Sequence, residues 1–140
     1  MQVRKCRVYF PMIESDVFYR CSSLTSIEVD ENNSNYSSTN GILFNKEKTR
    51  LILYPDGKKN TEYTVPSSVT SIGDSAFREC RSLSSIEIPE GVTSIGAYAF
   101  CECTSLSSIE IPSSVTSIGS DAFRGANLIM CVATGTENVQ

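Results

Sequence analysis

The sequence predicts a repeat solenoid built from short parallel strands. Three observations lead there. A 23-residue unit recurs from Val65 (VPSSVTSIGDSAFRECRSLSSIE), from Ile88 (IPEGVTSIGAYAFCECTSLSSIE) and from Ile111, and its first two copies agree at 16 of 23 positions. A fixed period of that size marks an architecture in which each unit touches only its neighbours. Apolar residues also keep one register from unit to unit, so each inward position becomes a column. A single unit buries too little to offset the entropy of ordering it, so the units must stack.

The elements follow in chain order. Residues 1–12 carry no recognisable unit and are read as a degenerate N-terminal segment. The stretch MQVRKCRVYFPMIESDVF starts basic, but Pro11 and Glu14 break its apolar part. That is too short for a signal-peptide core, so neither an export signal nor an anchor is expected in the chain. The repeat domain is placed at 13–133. Ile13, Phe18, Cys21, Leu24, Ile27 and Val29 have the spacing of Ile72, Phe77, Cys80, Leu83, Ile86 and Ile88.

Between Val29 and Val65 the coil is 13 residues longer than the period. The surplus holds GILF (41–44), the polar turn NKEKT and RLILY (50–54). Two apolar runs around a short polar turn predict one β-hairpin insertion, at about 36–60.

Within the regular unit, LSSIEI (83–88) alternates Ile86, Glu87, Ile88 and predicts a strand with one buried face. Pro89 ends it, having no N–H for a ladder. VTSIG then turns Val69 and Ile72 inward, and Gly73 is expected to supply a backbone angle closed to other residues. Ala76 and Phe77 are expected in one short helical or 3-10 turn, which places the fold in the α/β class. The predicted columns are Phe18–Phe77–Phe100–Phe123, Leu24–Leu83–Leu106, Ile27–Ile86–Ile109 and Gly73–Gly96–Gly119. Residues 134–140 are a polar tail.

Composition excludes several functions. The 12 basic and 16 acidic residues give a net charge of −4, which argues against nucleic acid or an anionic membrane as partner. No apolar run approaches the ~20 residues of a spanning helix, so no membrane insertion is expected. The chain has no histidine, hence neither the commonest general base nor the commonest zinc ligand. No serine has a histidine base, and a carboxylate ladder on an open sheet has no cleft that excludes water. Neither catalytic residues nor a cofactor are expected.

Four groups of residues merit a functional reading beside a structural one. The first is a strip on the outward side of the strands. Ser26, Glu62, Ser85 and Ser108 form one column, and Glu28, Thr64, Glu87 and Glu110 the next. Carboxylates one strand spacing apart repel by about 1 kcal/mol in water. Such a strip presents charge to a basic partner or a divalent cation, or is a solvated face kept charged for solubility. The second is the hairpin, with Lys46, Lys48 and Arg50, and Lys58 and Lys59 after it. It is a basic binding loop, or a loop whose lysines block edge pairing. The third is the cysteines. Cys21, Cys80 and Cys103 hold one repeat position and read as a buried thiol ladder, while the Cys101-x-Cys103 pair should diverge, with Cys101 outward and no metal held. The fourth is Asn32 and Asn35 in N-x-S sequons, of consequence only in a eukaryotic secretory pathway.

The motif IPxxVTSIGxxAFxxCxSLxxIxIP, over roughly Ile13 to Phe123, resembles the BspA-like leucine-rich repeats of bacterial surface antigens. The coil CSSLTSIEVDENNSNYSSTNGILFNKEKTRLILYPDGKKNTEYTVP is similar to a variant coil of that family. The resemblance implies a right-handed leucine-rich-repeat coil with its parallel sheet on the concave side. It also implies secreted or cell-surface proteins of host-associated microbes that bind host matrix proteins or other cells. It offers no catalytic residues. On this reading the chain is a protein-binding module contacting a host matrix or cell-surface protein through its concave face. The alternative is a structural spacer or repeat fragment without its own ligand, favoured by the near-identity of Ser85 with Ser108 and Glu87 with Glu110.

Overall fold

The computed structural model describes residues 5–9, 11, 12, 18 and 21–133. Ile13 and the tail at 134–140 lie outside the described residues. The chain forms twelve short strands: β1 (Lys5–Val8), β2 (Ser26–Val29), β3 (Tyr36–Thr39), β4 (Ile42–Asn45), β5 (Arg50–Leu53), β6 (Glu62–Thr64), β7 (Ser71–Ile72), β8 (Ser85–Glu87), β9 (Ser94–Ile95), β10 (Ser108–Ile111), β11 (Ser117–Ile118) and β12 (Met130–Ala133). They wind as a β-solenoid of about five turns.

Each repeat coil has three sides. One carries the SIE strands. Here β1 pairs with β2, β6 with β8 and β10 with β12, all parallel, but no hydrogen-bonded ladder joins β8 to β10 although they lie side by side. The second side is a six-stranded sheet in the order β11-β9-β7-β5-β4-β3. The sequence turns Val69 and Ile72 of VTSIG inward without marking a strand there; the Ser-Ile pair of each copy is one. Threonine secures this edge. Thr93 bonds the Thr70 carbonyl through its amide at 2.8 Å and its hydroxyl at 3.2 Å, and Thr116 repeats both bonds to Thr93.

The third side corrects the expected helical turn. No helix occurs among the described residues, so the chain is an all-β solenoid there rather than α/β. A helix would keep its amides within the segment. Here alternate amides cross to the next coil: Ser75 to Ala97, Phe77 to Ala99 and Glu79 to Cys101, at 2.8–2.9 Å. The amides between them close three-residue turns, Arg78 to Ser75 and Cys80 to Phe77. Left-handed residues at Ser75 and Glu79, repeated at Tyr98 and Glu102, make that alternation possible and bar a helix.

The glycine column is also there for another reason than expected. Gly73, Gly96 and Gly119 are absent from the positive-φ residues. A Cβ on Gly96 would lie 2.6 Å from the Asp74 amide nitrogen and 2.7 Å from the Gly73 carbonyl carbon. Glycine lets adjacent coils approach; it does not supply an unusual angle.

The insertion is a three-stranded antiparallel meander, β3-β4-β5, rather than a single hairpin. Asn40 (φ 54°) and Gly41 (φ 81°) form the tight first turn. In the second, the Asn45 side chain accepts from the Thr49 and Arg50 amides, and Lys48 takes a left-handed φ of 59°.

This meander splits the core in two. Ile42 and Phe44 of β4 point into the large core of the repeats, whereas Leu43 points into a smaller core with Val8, Leu24 and Ile27. All three are buried, as the period of two requires of a strand with a core on each face. In the large core Phe77, Phe100 and Phe123 stack at 5.0 and 5.4 Å. Phe18 does not continue that column, since it packs in the smaller core; Tyr54 takes its place, 5.2 Å from Phe77.

Candidate functional site

The strand positions dictate the candidate surface. In β6, β8 and β10 the central residue is turned to the core and its neighbours outward, so Glu62, Thr64, Ser85, Glu87, Ser108 and Glu110 are all exposed. The register sets Glu62 beside Ser85 and Thr64 beside Glu87, and the Thr64 hydroxyl donates to Glu87 Oε1 at 3.3 Å. Six of the eight strip residues thus share one face.

The other two are separated from it. Strand β2 lies against β3 and β4, not β6. The Ile27 amide bonds the Gly41 carbonyl at 2.8 Å, and a Cβ on Gly41 would come within 2.8 Å of Ser26 Oγ, so the first turn of the meander covers Ser26. Glu28 is ion-paired to Lys5 Nζ (3.1 Å) and Arg7 Nε (3.5 Å) of the neighbouring β1. The columns expected to run unbroken from Ser26 and Glu28 stop at the insertion.

Charge distinguishes the strip from the turn side. On the turn side, Glu79 meets Arg78 (3.8 Å) and Arg81 (3.5 Å), and Glu102 meets Arg81 (3.9 Å). Among the described residues, Glu62, Glu87 and Glu110 enter no ion pair. Asp56 continues the acidic line of Glu79 and Glu102 one coil earlier. Burial, together with nearby Glu79, pushes its carboxyl up to about 6 against the pull of its backbone bond and Arg81. This second acidic line went unread in the sequence, although its 23-residue spacing was visible.

The basic residues of the meander are spent locally. Lys46 Nζ donates to the Glu31 carbonyl at 2.9 Å, and Lys48 Nζ to the Thr39 hydroxyl. Arg50 is exposed with its guanidinium beside Gly73. Of the sequon residues, Asn32 is exposed in a turn, whereas the Asn35 amide donates to the Pro11 carbonyl.

The cysteines are free thiols. Cys103 Sγ donates to the Phe77 carbonyl at 3.0 Å and Cys80 Sγ to the Tyr54 carbonyl at 3.6 Å, so this column satisfies one turn carbonyl per coil. Burial pushes the Cys103 thiol up to about 12 and Cys80 well above its ordinary value, which leaves both protonated and poor as nucleophiles or ligands. Cys101 is not turned outward as expected. It is 3% exposed, at the repeat position of Arg78 and Arg124, and burial raises its thiol too. Among the described residues no cluster of three or more metal-ligating side chains occurs, and no helix is long and apolar enough to cross a membrane.

A family model described as BspA type Leucine rich repeat region matches this chain in six copies, over residues 8–56 and 54–138. Among solved structures, a leucine-rich repeat protein from Eubacterium ventriosum is 35% identical with a TM-score of 0.86, over 94% of this chain and 36% of that one. The pneumococcal vaccine antigen PcpA is 24% identical with a TM-score of 0.72, over 95% of this chain and 39% of that one. A leucine rich cell surface protein from Faecalibacterium prausnitzii is 23% identical with a TM-score of 0.66, over 97% of this chain and 49% of that one. The last two share the fold. The chain spans little more than a third of the first two. No curated protein matches it.

Proposed function

This chain belongs to the BspA-type leucine-rich-repeat family of bacterial surface proteins, and we propose that it is a protein-binding module at the cell surface or in secreted form. Repeats of this kind generally mediate protein–protein contact and are typically non-enzymatic. The proposed surface is the strip Glu62, Thr64, Ser85, Glu87, Ser108 and Glu110. One observation carries this reading: these carboxylates are exposed and meet no cation among the described residues, whereas Glu28, Glu79 and Glu102 all do. A protein patch with basic side chains supplies what they lack, and unpaired surface charge speeds encounter with such a partner. A matrix or cell-surface protein of a host is the partner class the family suggests.

The second reading is a structural spacer. Ser85 with Ser108 and Glu87 with Glu110 repeat without variation, as a surface under no demand for specificity would.

The test is capture of matrix and cell-surface proteins at low and at high salt. Binding at low salt that Glu87→Lys plus Glu110→Lys abolishes, and that Glu47→Lys leaves intact, is the expected result. Capture of nothing, or equal loss in both variants, would refute the strip.

A further inference from the structure

The SIE side is closed by ladders at three joints, β1–β2, β6–β8 and β10–β12, and open at the joint between β8 and β10, which lie side by side. The difference extends past the strands. At the closed β6–β8 joint the Ser84 and Ser85 amides both donate to the Thr61 carbonyl, at 2.8 and 3.1 Å, and the Ser84 hydroxyl donates to it at 3.0 Å. Beyond the strand the Val65 amide donates to the Glu87 carbonyl at 3.0 Å. One coil later the corresponding donors are Ser107, Ser108 and Ile88, and the acceptors are Ser84 and Glu110. None of those bonds forms among the described residues.

Shape does not explain the opening. Residues 83–88 and 106–111 have the same sequence, LSSIEI, and Ile86 and Ile109 are both buried. On their other sides the same two coils touch, with β7 paired to β9 and Phe77 stacked on Phe100 at 5.0 Å. What changes is the outward pair that each joint sets face to face. Arg7 stands opposite Glu28 and pairs with it at 3.5 Å. Thr64 stands opposite Glu87 and donates to it at 3.3 Å. Glu110 stands opposite Val132. Every closed joint thus carries a compatible pair. At the open joint the same 23-residue offset sets Glu87 against Glu110, both exposed and neither in an ion pair among the described residues. Like charges directly opposite one another destabilise a strand pair.

We propose that repulsion between Glu87 and Glu110 holds this joint open, and that a basic side chain of a partner, set between the two carboxylates, closes it and zips β8 to β10. The second half rests on the strip being the binding surface; the first does not. The Arg7–Glu28 joint is the precedent within this chain, since there a cation faces a glutamate across a complete ladder. Closure lets the Ser84 carbonyl accept the Ser107 and Ser108 amides, as the Thr61 carbonyl accepts those of Ser84 and Ser85. Binding at the strip is then coupled to the order of the sheet beneath it, because bonds left to water in the free chain form only once the charges are compensated.

Amide hydrogen exchange of the chain alone, read by NMR at neutral pH and low salt as protection factors, tests this without a partner. Ser107 and Ser108 should be at least about tenfold less protected than Ser84 and Ser85. Glu110→Gln removes one charge at constant shape, and Glu110→Lys supplies the cation that a partner would bring. Each should raise the protection of Ser107 and Ser108 at least about tenfold and leave Ser84 and Ser85 unchanged. Glu47→Gln, away from the strip, should alter none of the four. Circular dichroism checks that each variant stays folded, which these exposed positions permit. Equal protection of the two serine pairs in the natural chain would overturn the proposal. So would unchanged exchange in both Glu110 variants, or an equal gain in Glu47→Gln. The result is separable from the capture experiment: a joint that closes in Glu110→Lys while the natural chain captures nothing refutes the strip as binding surface and upholds the repulsion, and a captured partner with an unchanged joint does the reverse.

Discussion

Replacing Gly96 by alanine isolates close approach from backbone freedom as the reason for the glycine column. The new Cβ would sit 2.6 Å from the Asp74 nitrogen and 2.7 Å from the Gly73 carbonyl carbon, both backbone atoms that cannot rotate away. Restoring ordinary contact needs the two coils to part by about 0.7 Å, a gap that forfeits a quarter to a half of each dispersion contact across it. The Phe77–Phe100 stack at 5.0 Å and the Cys103–Phe77 hydrogen bond at 3.0 Å span that same gap. Overpacking of this kind costs about 3 kcal/mol, only partly offset by the stiffer unfolded chain. Gly73→Ala is the internal control. Its Cβ would meet the Leu51 carbonyl oxygen at 3.2 Å and the movable Arg50 guanidinium at 3.4 Å, so the cost should stay below about 1 kcal/mol. Urea unfolding followed by circular dichroism gives both values. If Gly96→Ala costs no more than Gly73→Ala, coil spacing is not what selects glycine here.

Two further predictions concern Asp56 and Leu43. Burial holds the Asp56 carboxyl at about 6 in the fold against 3.8, so the folded state binds more protons between those values and stability falls as pH rises from about 4 to about 6. That shift amounts to about 3 kcal/mol for a fully buried group, and solvent screening at this half-buried site reduces it to about 1 kcal/mol. Asp56→Asn should remove that slope and stabilise the protein at pH 7; parallel urea midpoints for both proteins at pH 4, 5 and 7 would contradict this. Leu43→Ala should cost about 3 kcal/mol, and hydrogen exchange should show the loss around Val8, Leu24 and Ile27 while Phe100 stays protected. Uniform loss across the chain would mean the meander does not divide the core.

The period made the inward columns legible, because a residue repeated every 23 positions in a stack can only face one way. Ile86 with Ile109, Leu83 with Leu106, and Cys80 with Cys103 are all buried. What the period could not give is the conformation between columns. Ala76-Phe77 followed by Cys80 has the three-residue spacing of a helical turn, and nothing in the letters shows that Ser75 and Glu79 are left-handed. Two-residue strands such as Ser71–Ile72 are too short to show alternation. Other features were legible and missed. Asn40-Gly41 before an apolar run is a strong signal for a tight hairpin turn, and the unbroken run Ile42-Leu43-Phe44 is the mark of a strand with a core on both sides. Without them the insertion reads as a single hairpin and the strip as continuous past it.

The coil's three sides contribute unequally, and this bears on the proposed binding strip. The six-stranded sheet and the turn side carry dense bonds from coil to coil: the threonine edge, the alternate amides, the thiols and the stacked phenylalanines. The SIE side has no ladder between β8 and β10. The separation of Glu87 from Glu110 is therefore fixed by the opposite faces of the coils rather than by bonds between their own strands. That arrangement tolerates the repulsion of about 1 kcal/mol between neighbouring carboxylates, since no hydrogen bond must strain to accommodate it. It also places the two carboxylates at a spacing that a partner's basic side chains can bridge from outside. A face that leaves its charges unpaired relies on the other faces to hold the stack together, and the repeats put Gly73, Gly96, Thr70, Thr93, Cys80 and Cys103 on those other faces.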